Sequence, residues 1–348
     1  EERRTEIIDK ATDLNIEDMI KEEDMVLTII HNQYIKRTSV STYKSQRRGG
    51  RGVQGQTARE EDFTEHLFVE NTHSYILFFT DKGKCYWVKV YDIPEGGRAA
   101  KGRAIVNLIG CEPDEKVSAF IGVKQDQFHD DHFVVMATEK GIVKKTKLSA
   151  YSNPRKKGIY AVEIREGDSL IEARVSNGEN DILLGTTNGK SIRFSEEQIR
   201  PSGRKTMGVK GITLSSKDDK VVGMLLIKRE GTVLVATENG FGKRTEIIQY
   251  RAQKRGGKGV LTMKTTDKIG KMITIKEVVG TDDLMIIRDD GVLIRMPVSQ
   301  IRSIGRATQG VKLIKLAEGT KVSAITRIIS EEEKTADEPE NNPEPQDA

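Results

Sequence analysis

The chain has 348 residues, 32% of them charged and 36% hydrophobic, and its formal net charge is +4. It contains no apolar run of 18 residues and no recognisable signal peptide, so nothing in it indicates a membrane span or secretion. Cys85 and Cys111 are too few for a disulfide framework and lack Cys-x-x-Cys spacing, so we expect two reduced packing residues in a cytoplasmic protein.

The small net charge hides three segments of different character. Residues 1–24 carry −6 and residues 331–348 carry −7, which leaves +17 for residues 25–330. A body this basic is typical of a polyanion-binding protein. Residues 331–348 are expected to be an acidic disordered tail, either an inert solubilising extension or a competitor for the basic surface. Residues 1–24, which begin without Met in what looks like the end of a helix, are interpreted as a connector from an upstream domain.

In chain order, six units repeat with a period near 50 residues. Each unit has a short apolar run followed by a turn, and the turn residues are Gln33, Gly83, Gly141, Gly189, Gly240 and Gly291. Ten residues later stands an aromatic or apolar residue that we expect to anchor the core: Tyr43, Ile93, Tyr151, Ile199, Tyr250 or Ile301. A second glycine follows at 19 residues, or at 17 in the third unit: Gly52, Gly102, Gly158, Gly208, Gly259 or Gly310.

Units of this length and β-rich character predict a closed ring, because one unit cannot bury its own apolar face. The apolar runs are about four residues long, β-branched and followed by sequences such as Glu-Asn-Gly. We expect tight hairpins with primed turns, which need positive φ at Gly, Asn or Asp, and a turn of another type at Gln33. The predicted fold class is all-β, with six four-stranded blades forming one ring over residues 25–330.

Two heptapeptides in equivalent positions carry three cations and three glycines each. They are Gln46-Arg47-Arg48-Gly49-Gly50-Arg51-Gly52 and Gln253-Lys254-Arg255-Gly256-Gly257-Lys258-Gly259. Glycine lets the backbone approach a ligand closely and Arg and Lys match phosphate, so these loops suit a nucleic-acid backbone. For the second heptapeptide, common descent of the units and a real DNA contact both stay open.

Further cations lie three or four residues past a turn or shortly before a second glycine. We predict that they form a DNA-binding rim: Lys36, Arg37, Arg98, Lys101, Lys144, Lys145, Arg155, Lys156, Lys157, Arg193, Arg204, Lys205, Lys243, Arg244, Arg295, Arg302 and Arg306. Any one of them alone is explained as a solvated surface residue, and the recurrence in register is what favours binding. Phosphate contacts do not read bases, so we expect sequence-independent binding of duplex DNA.

Two segments resemble motifs for phosphate or metal binding, but neither has the spacing or the context that such a site needs. Residues 185–191 resemble a phosphate-binding P-loop, but three residues separate their glycines where the motif has four, and they lie on a predicted hairpin. Residues 129–132 place two histidines in the longest insertion between units, where a solvated loop is the better interpretation. We therefore predict no catalytic residue and no metal ligand in this chain.

Residues 46–52, with Tyr43 before them and Val53-Gln54-Gly55 after them, resemble the box motif of the A subunit of bacterial DNA gyrase. Other stretches similar to this family are residues 13–20, 71–73, 102–108, 236–245 and 305–311. The resemblance covers essentially the whole chain. It implies the C-terminal DNA-wrapping domain, a six-bladed β-pinwheel in which neighbouring blades exchange hairpins.

The resemblance also implies a division of labour within a type II topoisomerase. In this family, DNA is cleaved by a tyrosine that follows an arginine in the N-terminal part of the A subunit, and none of the eight tyrosines here follows an arginine. ATP hydrolysis belongs to the B subunit. The chain is therefore expected not to be an enzyme by itself and to hold neither ATP nor Mg²⁺ as a cofactor.

The implied partners are double-stranded DNA, the B subunit of gyrase and the rest of the dimeric A subunit, in a heterotetramer of two A and two B subunits on the bacterial nucleoid. The isolated domain is expected to be monomeric, without a membrane partner. Wrapping with a fixed hand would present a crossing segment for strand passage, so that the holoenzyme introduces negative supercoils. The first box would hold the end of the wrapped segment and tie the ring closed.

Two alternatives stay open. One is the C-terminal domain of the topoisomerase IV A subunit, which selects substrates for decatenation and typically has a degenerate box, whereas residues 46–52 are intact. The other is a protein-interaction propeller, for which a ring of charge +17 would be unusual.

Overall fold

A computed structural model of the chain describes residues 16–30, 33–39, 64–97, 100–112, 114–153, 155, 157–228, 231–289, 293–317 and 319–328. The strands are β1 (Asp24–Ile30), β2 (Tyr34–Ser39), β3 (Thr64–Asn71), β4 (Tyr75–Thr80), β5 (Lys84–Lys89), β6 (Arg103–Ala104), β7 (Val117–Val123), β8 (Phe133–Thr138), β9 (Ile142–Lys147), β10 (Ile159–Tyr160), β11 (Leu170–Ser176), β12 (Asp181–Thr186), β13 (Lys190–Ser195), β14 (Val209–Lys210), β15 (Val221–Ile227), β16 (Thr232–Thr237), β17 (Phe241–Glu246), β18 (Val260–Leu261), β19 (Met272–Val278), β20 (Asp283–Arg288), β21 (Leu293–Pro297), β22 (Val311–Lys312) and β23 (Val322–Ile328). Helical segments in the described residues are short: the α-helix α1 (Ile105–Ile109) and 3₁₀ turns at Ile16–Met19, Val90–Asp92, Gln125–Gln127, Leu148–Tyr151, Glu196–Gln198, Ile247–Gln249 and Val298–Gln300.

The strands form six antiparallel sheets, which are the blades. Their strand orders are β3-β1-β2-β6, β7-β4-β5-β10, β11-β8-β9-β14, β15-β12-β13-β18, β19-β16-β17-β22 and β23-β20-β21. The strands at the start of these orders lie innermost. The pairs β7–β11, β11–β15, β15–β19, β19–β23 and β23–β3 each come within 8 Å, Cα to Cα. Between β3 and β7, the side chain of Glu70 lies against Gly122. The predicted all-β ring of six blades is confirmed, with four strands in five blades and three described strands in the sixth.

The outermost strand of each four-stranded blade comes from the following unit. Strand β6, for example, lies beyond the turn of the second unit but pairs with β2 of the first, with Arg103 opposite Ile35. The same exchange joins β10 to β5, β14 to β9, β18 to β13 and β22 to β17. Adjacent blades are therefore linked through the chain as well as through packing, as the resemblance implied.

The hairpin turns of units 2 to 5 differ from the predicted primed type. Among the described residues, Gln33 is the only non-glycine with positive φ, at 57°. In units 2 to 5 the Asn and Asp of the turns are therefore not left-handed, and these turns are not primed. The left-handed residue in units 2 to 5 is the last of the turn. The amide of Gly83, for example, donates to Thr80 O at 2.9 Å, as in a type I turn followed by a glycine bulge. The amide of Gln33 likewise donates to Ile30 O at 2.9 Å. The two central residues of this turn lie outside the described residues, so the expected difference in turn type stays a prediction.

The hydrophobic core lies between blades, since both faces of each central strand are covered. In β4, Ile76 and Phe78 pack towards blade 1, whereas Leu77 and Phe79 pack towards blade 3. Burial on both faces explains why the central strands are continuous apolar runs instead of alternating ones. The residues ten positions past the turns are core anchors as predicted, with Ile93, Tyr151, Ile199, Tyr250 and Ile301 all at 2% exposure or less. Tyr43 lies outside the described residues.

Candidate nucleic-acid interface

We call the seven residues that end at the second glycine of a unit its rim loop. The rim loops comprise residues 46–52, 96–102, 152–158, 202–208, 253–259 and 304–310. In units 2 to 6 each loop leads into the outermost strand of the preceding blade and so lies at the outer edge of the ring. The rim loop of unit 1, which is the first predicted box, lies outside the described residues, as do Arg98, Lys156 and the tail.

The second glycine is required by backbone geometry in each described rim loop. All five of these glycines have φ between 67° and 85°. A Cβ atom on Gly102, Gly208, Gly259 or Gly310 would stand 2.4 to 2.6 Å from a carbonyl oxygen of the strand beside it. Glycine therefore lets the rim loop turn onto the preceding blade at the point of strand exchange.

The second box-like loop, residues 253–259, is held by backbone contacts to blade 4 and to the residue that follows β14 of blade 3. The amide of Gln253 donates to Arg193 O at 2.8 Å and the amide of Gly256 to Gly211 O at 2.8 Å. Arg255 donates from its backbone to Gln198 Oε1 at 2.8 Å and from its guanidinium to Lys210 O, so this side chain ties the loop down. The exposed cations of the loop are Lys254 and Lys258.

Neighbouring rim loops are connected into a belt. The amide of Thr213, which follows the rim loop of unit 4, donates to Gly257 O in the rim loop of unit 5 at 2.9 Å. Lys264 donates in the same way to Thr308 O at 3.0 Å, and Glu163 to Thr206 O at 3.1 Å. These bonds repeat the same register from blade to blade, so the loops of units 3 to 6 form one continuous surface.

Four predicted rim cations do not face solvent, and their assignment to the rim is wrong. Lys36, Lys144 and Lys243 are 4%, 1% and 0% exposed because they lie beneath rim loops, where their ammonium groups donate to backbone carbonyls. Lys145 is 4% exposed and pairs with the buried carboxylate of Glu196, 3.2 Å from Nζ to Oε2. The recurrence in register reflects these structural contacts.

In units 1, 4 and 5 the residue four positions past the turn is an arginine that holds the next blade. The guanidinium Nε of Arg37 donates to Ile93 O at 2.7 Å, and that of Arg244 to Ile301 O at 2.7 Å. Arg193 reaches Tyr250 O at 3.3 Å and also pairs with Asp181. These partly buried arginines fasten the core-anchor position of the following unit, whereas Arg295 is more exposed and pairs with Asp283.

Burial also perturbs the titration of the lysines beneath the loops. Desolvation, with a smaller contribution from the Arg204 guanidinium, lowers the pKa of Lys144 to about 7. Desolvation and the nearby Arg306 lower the pKa of Lys243 to about 8, and burial lowers the pKa of Lys36. Such shifts are expected where an ammonium exchanges water for a few carbonyl groups.

The remaining predicted cations do reach the surface. Lys101, Arg155, Lys157, Lys205 and Arg302 are exposed, and Arg204 and Arg306 are half-buried. Lys101 lies over the ring of Tyr34, 4.6 Å from Nζ to the ring centroid. Together with Lys254 and Lys258, these side chains place positive charge along the belt of rim loops.

Sequence reasoning missed exposed cations on the outermost strands themselves. Arg103 on β6, Lys210 on β14 and Lys312 on β22 are exposed and lie just beyond the second glycine. The sequence contains a pattern that predicts them, since a cation follows the second glycine by one or two residues in alternate units.

Other chemistry is not assembled in the described part of the chain. It contains no group of three or more His, Cys, Asp or Glu side chains placed to hold a metal ion. Asp130 pairs with Lys147 at 2.5 Å and His132 with Asp131 at 2.9 Å, in an exposed loop. Residues 185–191 form the β12–β13 hairpin as predicted, and Cys85 is a buried packing residue. No described helix has the length and apolar character needed to cross a membrane.

Comparison with solved structures shows the same fold. The crystal structure of the C-terminal domain of DNA topoisomerase IV matches with a TM-score of 0.76 at 23% identity, covering 89% of this chain and 95% of that one. The structure of a DNA gyrase A C-terminal domain matches with a TM-score of 0.69 at 22% identity, covering 88% of this chain and all of that one.

Sequence comparison is more specific. The DNA gyrase A protein of Staphylococcus aureus strain NCTC 8325 is 46% identical over 345 residues, and that of Staphylococcus epidermidis strain ATCC 12228 is 46% identical over 336. These matches cover 98% and 96% of this chain but only 39% and 37% of the relatives, so the chain spans less than two fifths of their length. The family of DNA gyrase C-terminal β-propeller domains matches in six segments, residues 24–69, 74–121, 132–177, 180–228, 231–278 and 282–328. One segment falls on each repeat unit, and the chain belongs to this family.

Proposed function

We propose that this chain binds duplex DNA along its belt of rim loops, without base specificity, and wraps the duplex around the ring. The observation that carries the proposal is the recurrence of exposed cations on loops joined edge to edge, among them Arg155, Lys157, Lys205, Lys254 and Lys258. Duplex DNA carries about one charge per 1.7 Å of axis, so a belt of this kind offers contacts along a curved path.

A rigid ring suits the energetics of wrapping. Bending a short duplex by 40–90° costs roughly 1–6 kcal/mol, which many small phosphate contacts can offset. Rigidity comes from the exchanged outer strands and from arginines such as Arg37 and Arg244, which fasten each blade to the next. A surface that does not yield imposes its own curvature on the DNA.

Within a complete gyrase, the wrapped DNA would present a crossing segment for strand passage. The holoenzyme would then introduce negative supercoils with ATP hydrolysed by the B subunit, while this chain would supply neither the cleavage tyrosine nor the ATPase. The work would be done in the cytoplasm, on the bacterial nucleoid.

The test is the salt dependence of plasmid binding by the 348-residue chain, together with plasmid topology after relaxation and ligation in its presence. We expect log affinity to fall linearly with log salt, with a slope of about −0.9 per phosphate contact, and ligated plasmids to carry a shifted linking number. A chain that binds no plasmid at low salt would refute DNA binding, and binding without a linking-number shift would refute wrapping.

The C-terminal domain of a topoisomerase IV A subunit is the second candidate, favoured by the TM-score of 0.76 to such a domain. The intact heptapeptide at residues 46–52 supports the gyrase role instead. The full-length A subunit with its B subunit distinguishes them: ATP-dependent negative supercoiling of relaxed plasmid supports gyrase, and decatenation without supercoiling supports topoisomerase IV.

A further inference from the structure

Buried lysines lie under every second rim loop. The residue three positions past the turn is Lys36, Lys144 or Lys243 in units 1, 3 and 5, but Tyr86, Ile192 or Ile294 in units 2, 4 and 6. Because each rim loop rests on the preceding blade, the lysines lie beneath the loops of units 2, 4 and 6. The rim is therefore built in two alternating ways.

Each lysine gathers oxygen atoms from the loop above it. Lys36 Nζ donates to Gly97 O at 3.0 Å and to Ala100 O at 2.8 Å. Lys243 Nζ donates to Gly305 O at 2.7 Å, to Arg306 O and to Thr308 Oγ1 at 3.1 Å. Lys144 Nζ donates to Arg204 O and, at 2.7 Å, to Ala161 O just beyond β10. An ammonium group with three donors suits such a cluster of carbonyls.

Where the lysine is replaced, the loop is supported differently. A Cβ on Gly257 would lie 3.5 Å from Ile192 Cδ1, so the second box-like loop rests on an apolar side chain. Its carbonyls are taken by a neighbour instead: Gly256 O accepts from Thr213 Oγ1 at 2.7 Å and Gly257 O from the Thr213 amide. In both kinds of loop, groups from the protein side hold the carbonyls.

The orientation of the carbonyls fixes the orientation of the amides. All described peptide bonds are trans, so a carbonyl that points to a buried lysine places the N–H of the next residue on the opposite side. In the rim loops of units 4 and 6 the carbonyls held by a lysine are those of Arg204, Gly305 and Arg306. The amides that follow them are those of Lys205, Arg306 and Ala307, and none of the three donates to a backbone carbonyl within the described residues. Outward N–H groups in a turn form a concavity that favours anions such as phosphate.

We infer that Lys144 and Lys243 are positioning residues, which turn the backbone amides of the rim loops of units 4 and 6 outward so that they donate hydrogen bonds to DNA phosphates. The inference rests on the proposed DNA binding and adds a second kind of contact to it. Surface cations attract the duplex over a distance, while the amides fix where a phosphate lies. Units 4 and 6 would therefore position the wrapped duplex by backbone contacts.

The test compares Lys144→Met/Lys243→Met with Lys205→Ala, a surface cation of a lysine-supported loop, and with Ile192→Met, which puts Met at the equivalent position of a blade without the lysine. We expect the double variant, assayed below its unfolding temperature, to lose about tenfold in plasmid affinity at fixed salt and to keep the salt slope. Lys205→Ala should reduce the magnitude of the slope by about 0.9, and Ile192→Met should change neither quantity.

A folded double variant with unchanged affinity would overturn the inference. So would a reduced salt slope, because the lysines would then neutralise phosphates directly. Failure of the unmodified chain to bind plasmid would instead refute the proposed function, which keeps the two failures distinct. Amide hydrogen exchange of the unmodified chain gives a readout that does not depend on variant folding. Exchange at Lys205, Arg306 and Ala307 should slow on plasmid binding, and unchanged exchange there would contradict the inference.

Discussion

The indole Nε1 of Trp87 donates a 2.8 Å hydrogen bond to the backbone carbonyl of Tyr151 in the following unit. Trp87 stands at the register position where Arg37 and Arg244 make the equivalent bond to Ile93 O and Ile301 O. Two unrelated side chains thus perform one task, which is to hold the core-anchor segment of the next blade. The bond identifies this position as a joint between blades, whatever its charge.

Trp87→Phe should destabilise the joint between blades 2 and 3, because it removes the donor and leaves the Tyr151 carbonyl without it. We expect a loss of roughly 0.5–1.5 kcal/mol in the free energy of unfolding from the hydrogen bond, in addition to lost packing. Trp87→Arg should lose less, since arginine makes this bond in other units. Urea denaturation of the three proteins measures the difference, and equal losses for Phe and Arg would show that the bond contributes nothing.

Two glycines of the second box-like loop offer a matched comparison of backbone strain. Gly259 has φ of 69° and a Cβ there would lie 2.4 Å from Ser191 O, whereas Gly257 has no positive φ and meets nothing closer than 3.5 Å. Gly259→Ala should therefore cost about 1–3 kcal/mol, and Gly257→Ala should stay within about 0.5 kcal/mol. Thermal or urea denaturation tests this, and similar costs at the two positions would contradict the strand-exchange role of the second glycine.

The buried Lys144 should make stability depend on pH above neutrality. Its pKa is lowered to about 7 from a usual 10.5, so between these values the unfolded chain holds a proton that the folded chain has released. Stability contributed by this group therefore rises with pH across that window, by at most about 1.4 kcal/mol per pH unit. Desolvation is the main cause of this lowered pKa, and the nearby Arg204 guanidinium adds to it.

Lys144→Met removes this contribution, so its free energy of unfolding should rise less steeply between pH 7 and pH 10 than that of the unmodified chain. Lys205→Met, an exposed lysine of the loop above, serves as the control and should leave the slope unchanged. Guanidinium denaturation at three pH values gives the comparison. A variant whose slope equals that of the unmodified chain would mean that Lys144 stays protonated in the folded state.

The six-bladed ring could be predicted from the sequence, whereas the side chains that face solvent on its rim could not, and the reason is physical. Turn glycines and core anchors such as Tyr151 and Tyr250 obey local rules, so spacing alone locates them. The cations three and four residues past a turn follow the same register, but whether a side chain points to solvent depends on the loop that the next unit lays over it. The sequence pattern therefore predicts that Lys243 and Arg244 are surface charges, although both side chains hold neighbouring blades together.

Deleting residues 331–348 should tighten DNA binding at low salt. The segment carries −7 and the ring +17, so a tail that occupies the rim competes with phosphate. The gain should shrink as salt rises, because screening weakens both interactions. Plasmid affinity of the truncated chain at two salt concentrations measures this, and identical affinities at low salt would leave the tail only a solubilising role.

Substituting alanine for Arg47, Arg48 and Arg51 should separate DNA binding from wrapping. The change removes three cations from a rim that has many others, so affinity should fall moderately and the magnitude of the salt slope by about 3. Wrapping should suffer more, because a bent duplex that is not held at its end relaxes elastically. In the full-length A subunit with its B subunit, negative supercoiling should be lost, while relaxation and decatenation, which need cleavage and passage, should persist.

The matched control is the double substitution Lys254→Ala/Lys258→Ala in the second box-like loop. It removes the two exposed cations of that loop and keeps Arg255, whose guanidinium holds the loop to Lys210. We expect a slope change of about 2 and a milder supercoiling defect, because in the proposed function this loop would lie within the wrapped path instead of at its end. If supercoiling survives the triple substitution, or if relaxation disappears together with it, then residues 46–52 do not retain the end of the wrapped segment.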